Sequence, residues 1–140
     1  MAPSRVHMNY VHTREVDTFF ELSQSGRLAL PEAIRRQMDP RNPRTIPKVR
    51  VTHNKKTGEE LAKIIKVRVA DLDVFSPRTK FDWRISVNVE MNIEGSIKEL
   101  VEPGGMGKKG ADRSKDRMTY RHQAFQIDLT QVTGTDVSLV

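Results

Sequence analysis

The sequence contains no cysteine, few aromatic residues and no long apolar run. The lack of cysteine excludes disulfide bonds and thiolate metal sites, and it is compatible with a reducing compartment. No segment approaches the ~18 consecutive apolar residues that a membrane-spanning helix needs. Aromatic residues make up only 6% of the chain, which weighs against a surface that binds nucleic acid by stacking bases on aromatic rings.

Positive charge is what the sequence has in excess. Its 140 residues include 24 lysines and arginines against 18 aspartates and glutamates, a net charge of +6. A surplus of this kind favours a polyanionic partner such as a nucleic acid, a nucleotide or a phosphorylated ligand. The length is sufficient for one domain with a modest core, and we predict a single domain over residues 1–140.

Strict alternation in the segment FDWRISVNVEMNI, residues 81–93, predicts a long β-strand. One face is entirely apolar, and it consists of Phe81, Trp83, Ile85, Val87, Val89, Met91 and Ile93. The other face is entirely polar, with Glu90 as its one deeply placed carboxylate. The polar face therefore borders either bulk water or a polar cavity.

Residues before this strand predict two helices and then a change to strand periodicity. Helical spacing of Val16, Phe19 and Phe20 predicts a helix over residues 13–24, and Pro31 is suited to begin a second one over 31–38. From residue 48 onward, alternating segments predict about six strands, and Gly58 is suited to the turn between the first two of them. The predicted fold class is α+β with a mostly antiparallel sheet.

Three cations at alternate positions form the sharpest motif. Arg113, Lys115 and Arg117 lie ~6.6 Å apart on one side of a predicted strand. On an open surface this row is a solvated basic face. Within a closed cavity the repulsion between adjacent cations rises to ~2.5 kcal/mol at an effective dielectric of 20, so a counter-charge is required. A triphosphate has about the span of this row.

The remaining polar positions carry weaker signals. Glu90 is either a solvated residue, a salt-bridge partner, for example of Arg84, or a functional carboxylate, and Asp128 has the same status. The four histidines are scattered without metal-ligand spacing. The glycine-rich segment EPGGMGKKG lacks the strand–loop–helix context and the terminal Lys-Ser/Thr of a phosphate-binding loop.

Taken together, about 85 residues, 48–132, resemble the fungal metal-dependent RNA 5′-triphosphatases of mRNA capping, which belong to the triphosphate tunnel metalloenzymes. The segments that carry the resemblance are the strand with Arg50, the strand with Lys66 followed by DLDVFSP, FDWRISVNVE ending in Glu90, and then RSKDR and FQIDLT. Residues 13–38 resemble the helical segment that precedes these strands in the family.

The resemblance implies an antiparallel β-barrel that encloses a polar tunnel, with helices packed outside it. The implied reaction removes the γ-phosphate from the 5′-triphosphate end of nascent mRNA, the first step of cap formation in the nucleus, with Mg²⁺ or Mn²⁺. The implied partners are 5′-triphosphate RNA, the capping guanylyltransferase and a second copy of the chain, and no membrane is involved. Carried over by position, the phosphate ligands are Arg50, Lys66, Arg113, Lys115 and Arg117, Glu90 orients or activates the attacking water, and Asp128 and Thr130 brace the wall.

The sequence departs from the family where the metal is held. The family's metal lies on a Glu-x-Glu pair and a Glu-x-Glu-x-Glu run, and neither motif occurs here. We therefore assign no metal ligand. We expect a partial tunnel domain that lacks the first and last glutamate-bearing strands, with an incomplete barrel, an exposed sheet edge and negligible phosphatase activity of its own.

Two other functions compete with the phosphatase. A non-catalytic module that binds RNA or polyphosphate would use the same cations. Such a module needs exposed aromatic residues near them for base stacking, and the sequence places only Tyr120 near the basic strand. A structural or interaction module with a basic surface is the second alternative. Tight binding of inorganic tripolyphosphate would exclude the structural module.

Overall fold

The computed structural model describes residues 7–103 and 112–134. The chain divides into two compact units, each made of separate segments. The first unit comprises residues 1–19, 51–62 and 107–140, and the second comprises 20–50 and 63–106. Each unit is considered by itself below, and a single domain over 1–140 stays a prediction.

The described residues form six strands, two short α-helices and one 3₁₀ turn. The strands are β1 (Asn9–Glu21), β2 (Lys48–Asn54), β3 (Glu60–Val74), β4 (Trp83–Asn92), β5 (Arg113–His122) and β6 (Phe125–Gly134). The helices are α1 (Gln24–Leu28) and α2 (Glu32–Arg35), and the 3₁₀ turn is Pro43–Thr45. No helix within the described residues has the length and apolar character needed to cross a membrane.

The strands are hydrogen-bonded in the order β4-β3-β2-β1-β5-β6. The pairs β3–β4, β1–β5 and β5–β6 are antiparallel. The predicted class, α+β with an antiparallel sheet, is confirmed. Within the described residues β4 and β6 end the strand order, which agrees with the predicted exposed edge.

The predicted helix over residues 13–24 is wrong, because most of that segment is β1. The helical spacing of Val16 and Phe19 coincides with alternation of Thr13, Glu15 and Asp17. Threonine and valine favour strands, since their branched side chains pack well on a pleated surface. The helix begins only after β1, where Ser23 caps α1 by accepting a hydrogen bond from the Gly26 amide.

The predicted hairpin turn with Gly58 is confirmed, and a second hairpin joins β5 to β6. The β2–β3 turn contains Gly58 with a φ of 72°, and the Gly58 amide donates to the Asn54 carbonyl. Glycine suits this position because it has no Cβ to clash in the left-handed region. The β5–β6 hairpin turns at Gln123, whose φ is 51°. The alternation of β3 breaks where its register against β4 shifts between Arg68 and Ala70.

The apolar core lies mostly in the second unit, where Leu22, Leu30, Val49, Ile64, Ile65 and Val67 are buried. The segment that follows β1 is fixed there by backbone contacts, because the Ser23 amide donates to the Leu100 carbonyl at 2.9 Å. Gly26 lies so close to the same carbonyl that an added Cβ would be 2.1 Å from its oxygen. A glycine is therefore required at this point of α1.

The resemblance implied helices packed outside the barrel, but among the described residues the apolar face of β4 is largely exposed. Trp83 and Val87 are each about half exposed, at 52% and 53%. The helices are too short to cover such a face, since α2 has no buried residue and α1 buries only Gly26.

Strand alternation gives the first unit two chemically different faces. The charged face, on β1, β5 and β6, carries Thr13, Glu15, Asp17, Arg113, Lys115, Arg117, Asp128 and Thr130. The opposite face, here called the tyrosine face, carries Tyr10, His12, Arg14, Ser114, Asp116, Met118, Tyr120, Ile127, Leu129 and Gln131. Glu15, Asp17 and Lys115 are buried, so much of this unit's interior is charged.

Candidate phosphate-binding site

The strand registers bring together five of the predicted site residues on the charged face. Lys115 lies opposite Glu15 and Arg113 lies opposite Asp17 in the β1–β5 pair. In the β5–β6 pair Arg117 lies opposite Thr130, and Asp128 follows on the same face opposite Thr119. Directly opposed residues have their Cβ atoms ~4.5–5.5 Å apart, close enough for side-chain contact.

Lys115 is the centre of this arrangement. Its Nζ lies 3.0 Å from Glu15 Oε2 and 2.8 Å from Asp17 Oδ1, and its side chain is only 6% exposed. A lysine ammonium has three donors and no acceptor, so one donor remains for a further oxygen. The two carboxylates therefore hold the ammonium in place and leave it a single contact to offer to a phosphate.

Asp17 is fully buried and receives hydrogen bonds from three residues. Arg113 donates to its Oδ2 at 2.9 Å, Thr52 donates to its Oδ1 at 2.7 Å, and Lys115 is the third donor. Burial alone raises the pKa of Asp17, but the hydrogen bonds from Lys115, Arg113 and Thr52 outweigh it and hold the pKa below its usual value. Asp17 is thus an anion at neutral pH, and it keeps the two cations in place.

The aliphatic and guanidinium portions of Arg113 are also fixed. Its guanidinium carbon lies 5.2 Å from the centre of the Phe19 ring, a cation–π contact. Its Nε is buried without a hydrogen-bond partner. Because a buried unpaired donor is unfavourable, this N–H is a group that a bound oxygen would satisfy.

The sequence interpretation of the cation row needs a correction. It expected repulsion among Arg113, Lys115 and Arg117 to require an external counter-charge, whereas Glu15 and Asp17 already offset two of the three. Both carboxylates were missed because residues two apart diverge on a helix but share a face on a strand. The signal that would have found them is the acidic pair at i, i+2 combined with the threonines and valines around it.

Arg117 is the cation of the row with the least compensation. Its Nε donates to Thr130 Oγ1 at 3.1 Å, and within the described residues it forms no ion pair. Nearby, Asp128 accepts a hydrogen bond from Thr119 at 2.8 Å and further ones from Gln126. These hydrogen bonds, the one from Thr119 first, lower the pKa of Asp128. Arg117 is therefore the strongest candidate for a direct phosphate ligand.

The remaining predicted site residues lie in the second unit. Lys66 and Glu90 are opposed in the β3–β4 pair, and Lys66 Nζ lies 3.4 Å from Glu90 Oε1. Both side chains are about half exposed, at 45% and 50%. Arg84, the salt-bridge partner considered for Glu90, pairs instead with Asp73. Arg50 is partly buried, and its Nε has no hydrogen-bond partner.

A divalent metal does not fit the carboxylates of the described residues. No group of three or more His, Cys, Asp or Glu side chains able to hold a metal occurs among residues 7–103 and 112–134. Glu15 and Asp17 are engaged by Lys115, and Glu90 lies against Lys66, so each of these carboxylates already has a cationic partner. The glycine-rich segment EPGGMGKKG lies almost entirely outside the described residues.

The described residues form an antiparallel β-sheet protein with one face of paired cations and carboxylates, and comparison with known proteins identifies its family. The family model described as mRNA capping enzyme, beta chain, matches residues 1–138. The chain belongs to that family.

Relatives and solved structures agree. The mRNA-capping enzyme subunit beta of Schizosaccharomyces pombe is 33% identical over 134 residues, which cover 96% of this chain and 36% of that protein. The corresponding subunit of Cryptococcus neoformans is 41% identical over 89 residues, 64% of this chain and 20% of that protein. The structure of S. pombe Pct1 RNA triphosphatase in complex with the Spt5 CTD matches with a TM-score of 0.66 at 32% identity, over 94% of this chain and 41% of that one. The fold is thus that of the RNA triphosphatases, and the chain spans about two fifths or less of the relatives' lengths.

Proposed function

We propose that this chain provides the phosphate-binding strands of an mRNA-capping RNA 5′-triphosphatase, which removes the γ-phosphate from the 5′ end of nascent mRNA. The observation that carries the proposal is the row of Arg113, Lys115 and Arg117 on the charged face, in which Glu15 and Asp17 fix Arg113 and Lys115 and leave Arg117 without an ion pair among the described residues. Family membership and the similarity to Pct1 RNA triphosphatase support it.

Phosphoryl transfer depends mainly on positioning and on stabilising negative charge as it develops. Arg117 offers a planar guanidinium suited to two phosphate oxygens, and Arg113 adds its unpaired Nε. Lys115 contributes its one remaining donor. Since Asp17 holds Arg113 and Lys115, and Glu15 also holds Lys115, the donors of these two cations are oriented before the substrate arrives.

In the second unit, we assign Lys66 and Arg50 as further phosphate ligands and Glu90 as the group that orients the attacking water. Lys66 directs the Glu90 carboxylate through the 3.4 Å contact. A water that donates to a carboxylate is a better nucleophile, because the carboxylate can accept the proton that the water loses as it attacks. Asp128 and Thr130 brace the wall by their hydrogen bonds to Thr119 and Arg117.

Metal-dependent catalysis is general in this family, and we assign Mg²⁺ or Mn²⁺ to the reaction of the longer relatives. The described residues of this chain do not supply its ligands. The partners we assign are 5′-triphosphate RNA, the capping guanylyltransferase and a second copy of the chain, at work in the nucleus. Relatives named as a subunit of the mRNA-capping enzyme support a partner within a capping complex.

Binding of inorganic tripolyphosphate tests the proposal with two matched variants. Arg117 and Arg121 share one strand and one face, and each donates from Nε to a β6 side chain. Arg117→Ala is expected to weaken binding by ~1.5–3 kcal/mol, roughly 10- to 100-fold in Kd, because it removes a charge-assisted phosphate contact. Arg121→Ala should have a much smaller effect. Equal and small effects at both positions would favour a solvated basic face.

Turnover separates the phosphatase from the non-catalytic alternative. Release of phosphate from 5′-triphosphate RNA with Mn²⁺ is measured on this chain and on a relative that carries the complete domain. Release is expected from the relative and to be negligible from this chain. In the relative, the counterpart of Glu90→Ala should abolish release while tripolyphosphate binding persists, since Glu90 is assigned to the water and not to the phosphate. Tight binding without release in both proteins would assign the fold to a polyphosphate-binding module.

A further inference from the structure

The tyrosine face lies on the side of β1, β5 and β6 that the phosphate site does not use. Tyr10 and Tyr120 are opposed in the β1–β5 register, and their ring centres lie 5.1 Å apart at an interplanar angle of 40°. Tyr10 is 53% exposed, and Ile127, next to Tyr120 in the β5–β6 register, is 56% exposed. The sequence places only Tyr120 near the basic strand; Tyr10 joins it because β1 pairs with β5.

A cationic groove continues the same face. It has a volume of about 440 Å³, and its lining residues are Arg14, Lys55, Lys56, Ser114, Lys115, Asp116, Gln131 and Thr133. Lys55 is held over β5, since its Nζ donates to Ser114 Oγ at 3.2 Å and its amide donates to the Arg14 carbonyl at 2.8 Å. Arg14, which lines the groove, follows Tyr10 by four residues on the same face of β1. The groove and the tyrosine rings therefore lie ~13 Å apart along the strand.

The charge of this groove is positive. Asp116 is its one lining carboxylate, and it is occupied by His12 and by Arg14, whose Nε lies 3.5 Å from its Oδ2. Lys55 and Lys56 have no carboxylate partner within the described residues. An anion that enters the groove therefore meets two lysines that are not neutralised.

We propose that the tyrosine face is a second binding site, specific for single-stranded RNA. Bases stack on Tyr10 and Tyr120, and backbone phosphates lie in the groove against Lys55 and Lys56, the combination of stacking and basic residues that binds single strands without sequence preference. The aromatic pair and the two lysines without carboxylate partners favour RNA over an acidic or apolar protein segment, because a single strand of RNA offers both bases to stack and phosphates to bind. The inference rests on the proposed function in that the same nascent RNA carries the 5′-triphosphate.

The test uses a fluorescent single-stranded RNA with a 5′-hydroxyl end, which has no triphosphate for the charged face to bind. Failure here therefore leaves the phosphate-site proposal untouched. Affinity is measured against salt concentration with the full 140-residue chain. Tyr10→Ala/Tyr120→Ala should weaken binding at least 5-fold through lost stacking, whereas Tyr10→Phe/Tyr120→Phe, which keeps both rings, should bind like the unaltered chain.

Charge variants provide the matched comparison. Lys55→Ala/Lys56→Ala should lower the slope of log K against log salt by about 1.4, since each phosphate contact on a single strand contributes ~0.7. Arg78→Ala/Lys80→Ala removes two equally exposed cations from a turn of the second unit and should leave the slope unchanged. Equal slopes for the two variants would overturn the proposal.

A measurement on the unaltered chain covers the case in which a tyrosine variant does not fold. RNA that contains 4-thiouridine is photo-crosslinked to the protein, and crosslinks at Tyr10 or Tyr120 support the site. Crosslinks confined to the charged face or to the second unit overturn it. Tyrosine-dependent binding of an acidic peptide in place of RNA would assign the surface to a protein partner and would also overturn it.

Discussion

Asp17 Oδ1 lies 2.8 Å from Lys115 Nζ, although the two residues stand near opposite ends of the described chain. Asp17 is fully buried and Lys115 is 6% exposed. Such a pair is not a strong source of stability in itself, because removing both charges from water is costly. Its importance is that neither charge tolerates the loss of the other.

Asp17→Asn should therefore lower the free energy of unfolding by about 3 kcal/mol, because it leaves Lys115 and Arg113 with less compensation in a buried setting. The measurement is urea unfolding at pH 7. Asp73→Asn is the control, since Asp73 also pairs with an arginine but is exposed. A loss of similar size in both variants would contradict a special role of the buried cluster.

The lowered pKa of Asp17 predicts how stability depends on pH. Its folded pKa lies below the unfolded value of 3.8, so between these values the unfolded chain binds a proton that the folded chain does not. Stability from this residue is complete above about pH 5 and falls as the pH drops through the folded pKa. Asp17→Asn should reduce the fall without abolishing it, because Asp116 and Asp128 also have lowered pKa values. An unchanged acid response would show that Asp17 does not contribute.

Gly26→Ala should destabilise the second unit by ~1–3 kcal/mol, because the new Cβ would lie 2.1 Å from the Leu100 carbonyl oxygen. Relieving that clash requires α1 to move away and the Ser23–Leu100 hydrogen bond to lengthen. Thermal unfolding measures the effect. Gln24→Ala, an exposed position in the same helix, should be nearly neutral, and equal losses would indicate an effect of helix composition alone.

Lys66 and Glu90 should change tripolyphosphate affinity in opposite directions. Lys66→Ala removes a cation and should weaken binding, whereas Glu90→Gln removes a repelling carboxylate and should strengthen it. Both side chains are about half exposed, so each change is expected to stay below ~1 kcal/mol, about five-fold in Kd. Titration calorimetry measures both, and Glu94→Gln serves as an exposed control. Changes of the same sign would place the pair outside the phosphate site.

Most strands could be predicted from the sequence, because alternation is a local signal. β2 begins at Lys48, where the sequence predicts the change to strand periodicity, and β4 lies within the predicted residues 81–93. β1 could not, since Val16, Phe19 and Phe20 have helical spacing and, on a strand, Phe19 falls on the face opposite the other two. Pairing with β5 is what makes this segment a strand and not a helix, and no local sequence pattern reveals that pairing.

The candidate site shows the same division. Alternation alone placed Arg113, Lys115 and Arg117 on one face, and the β5–β6 hairpin placed Thr130 beside Arg117. Neutralisation of Lys115 could not be predicted, because its carboxylate partners come from β1. Charges distant in sequence but adjacent in a sheet are visible only once the register is known.

The pairing of β1 with β5 also sets when the first unit folds during synthesis. Lys115 is translated roughly 100 residues after Asp17, a delay of about 5 to 20 s at ~5–20 residues per second. Throughout that interval Glu15 and Asp17 remain hydrated carboxylates on an emerging chain, because burying them without Lys115 is unfavourable. β1 therefore cannot be buried until β5 has been synthesised, and a chaperone that shields Phe19 and Phe20 would bind the chain during that interval.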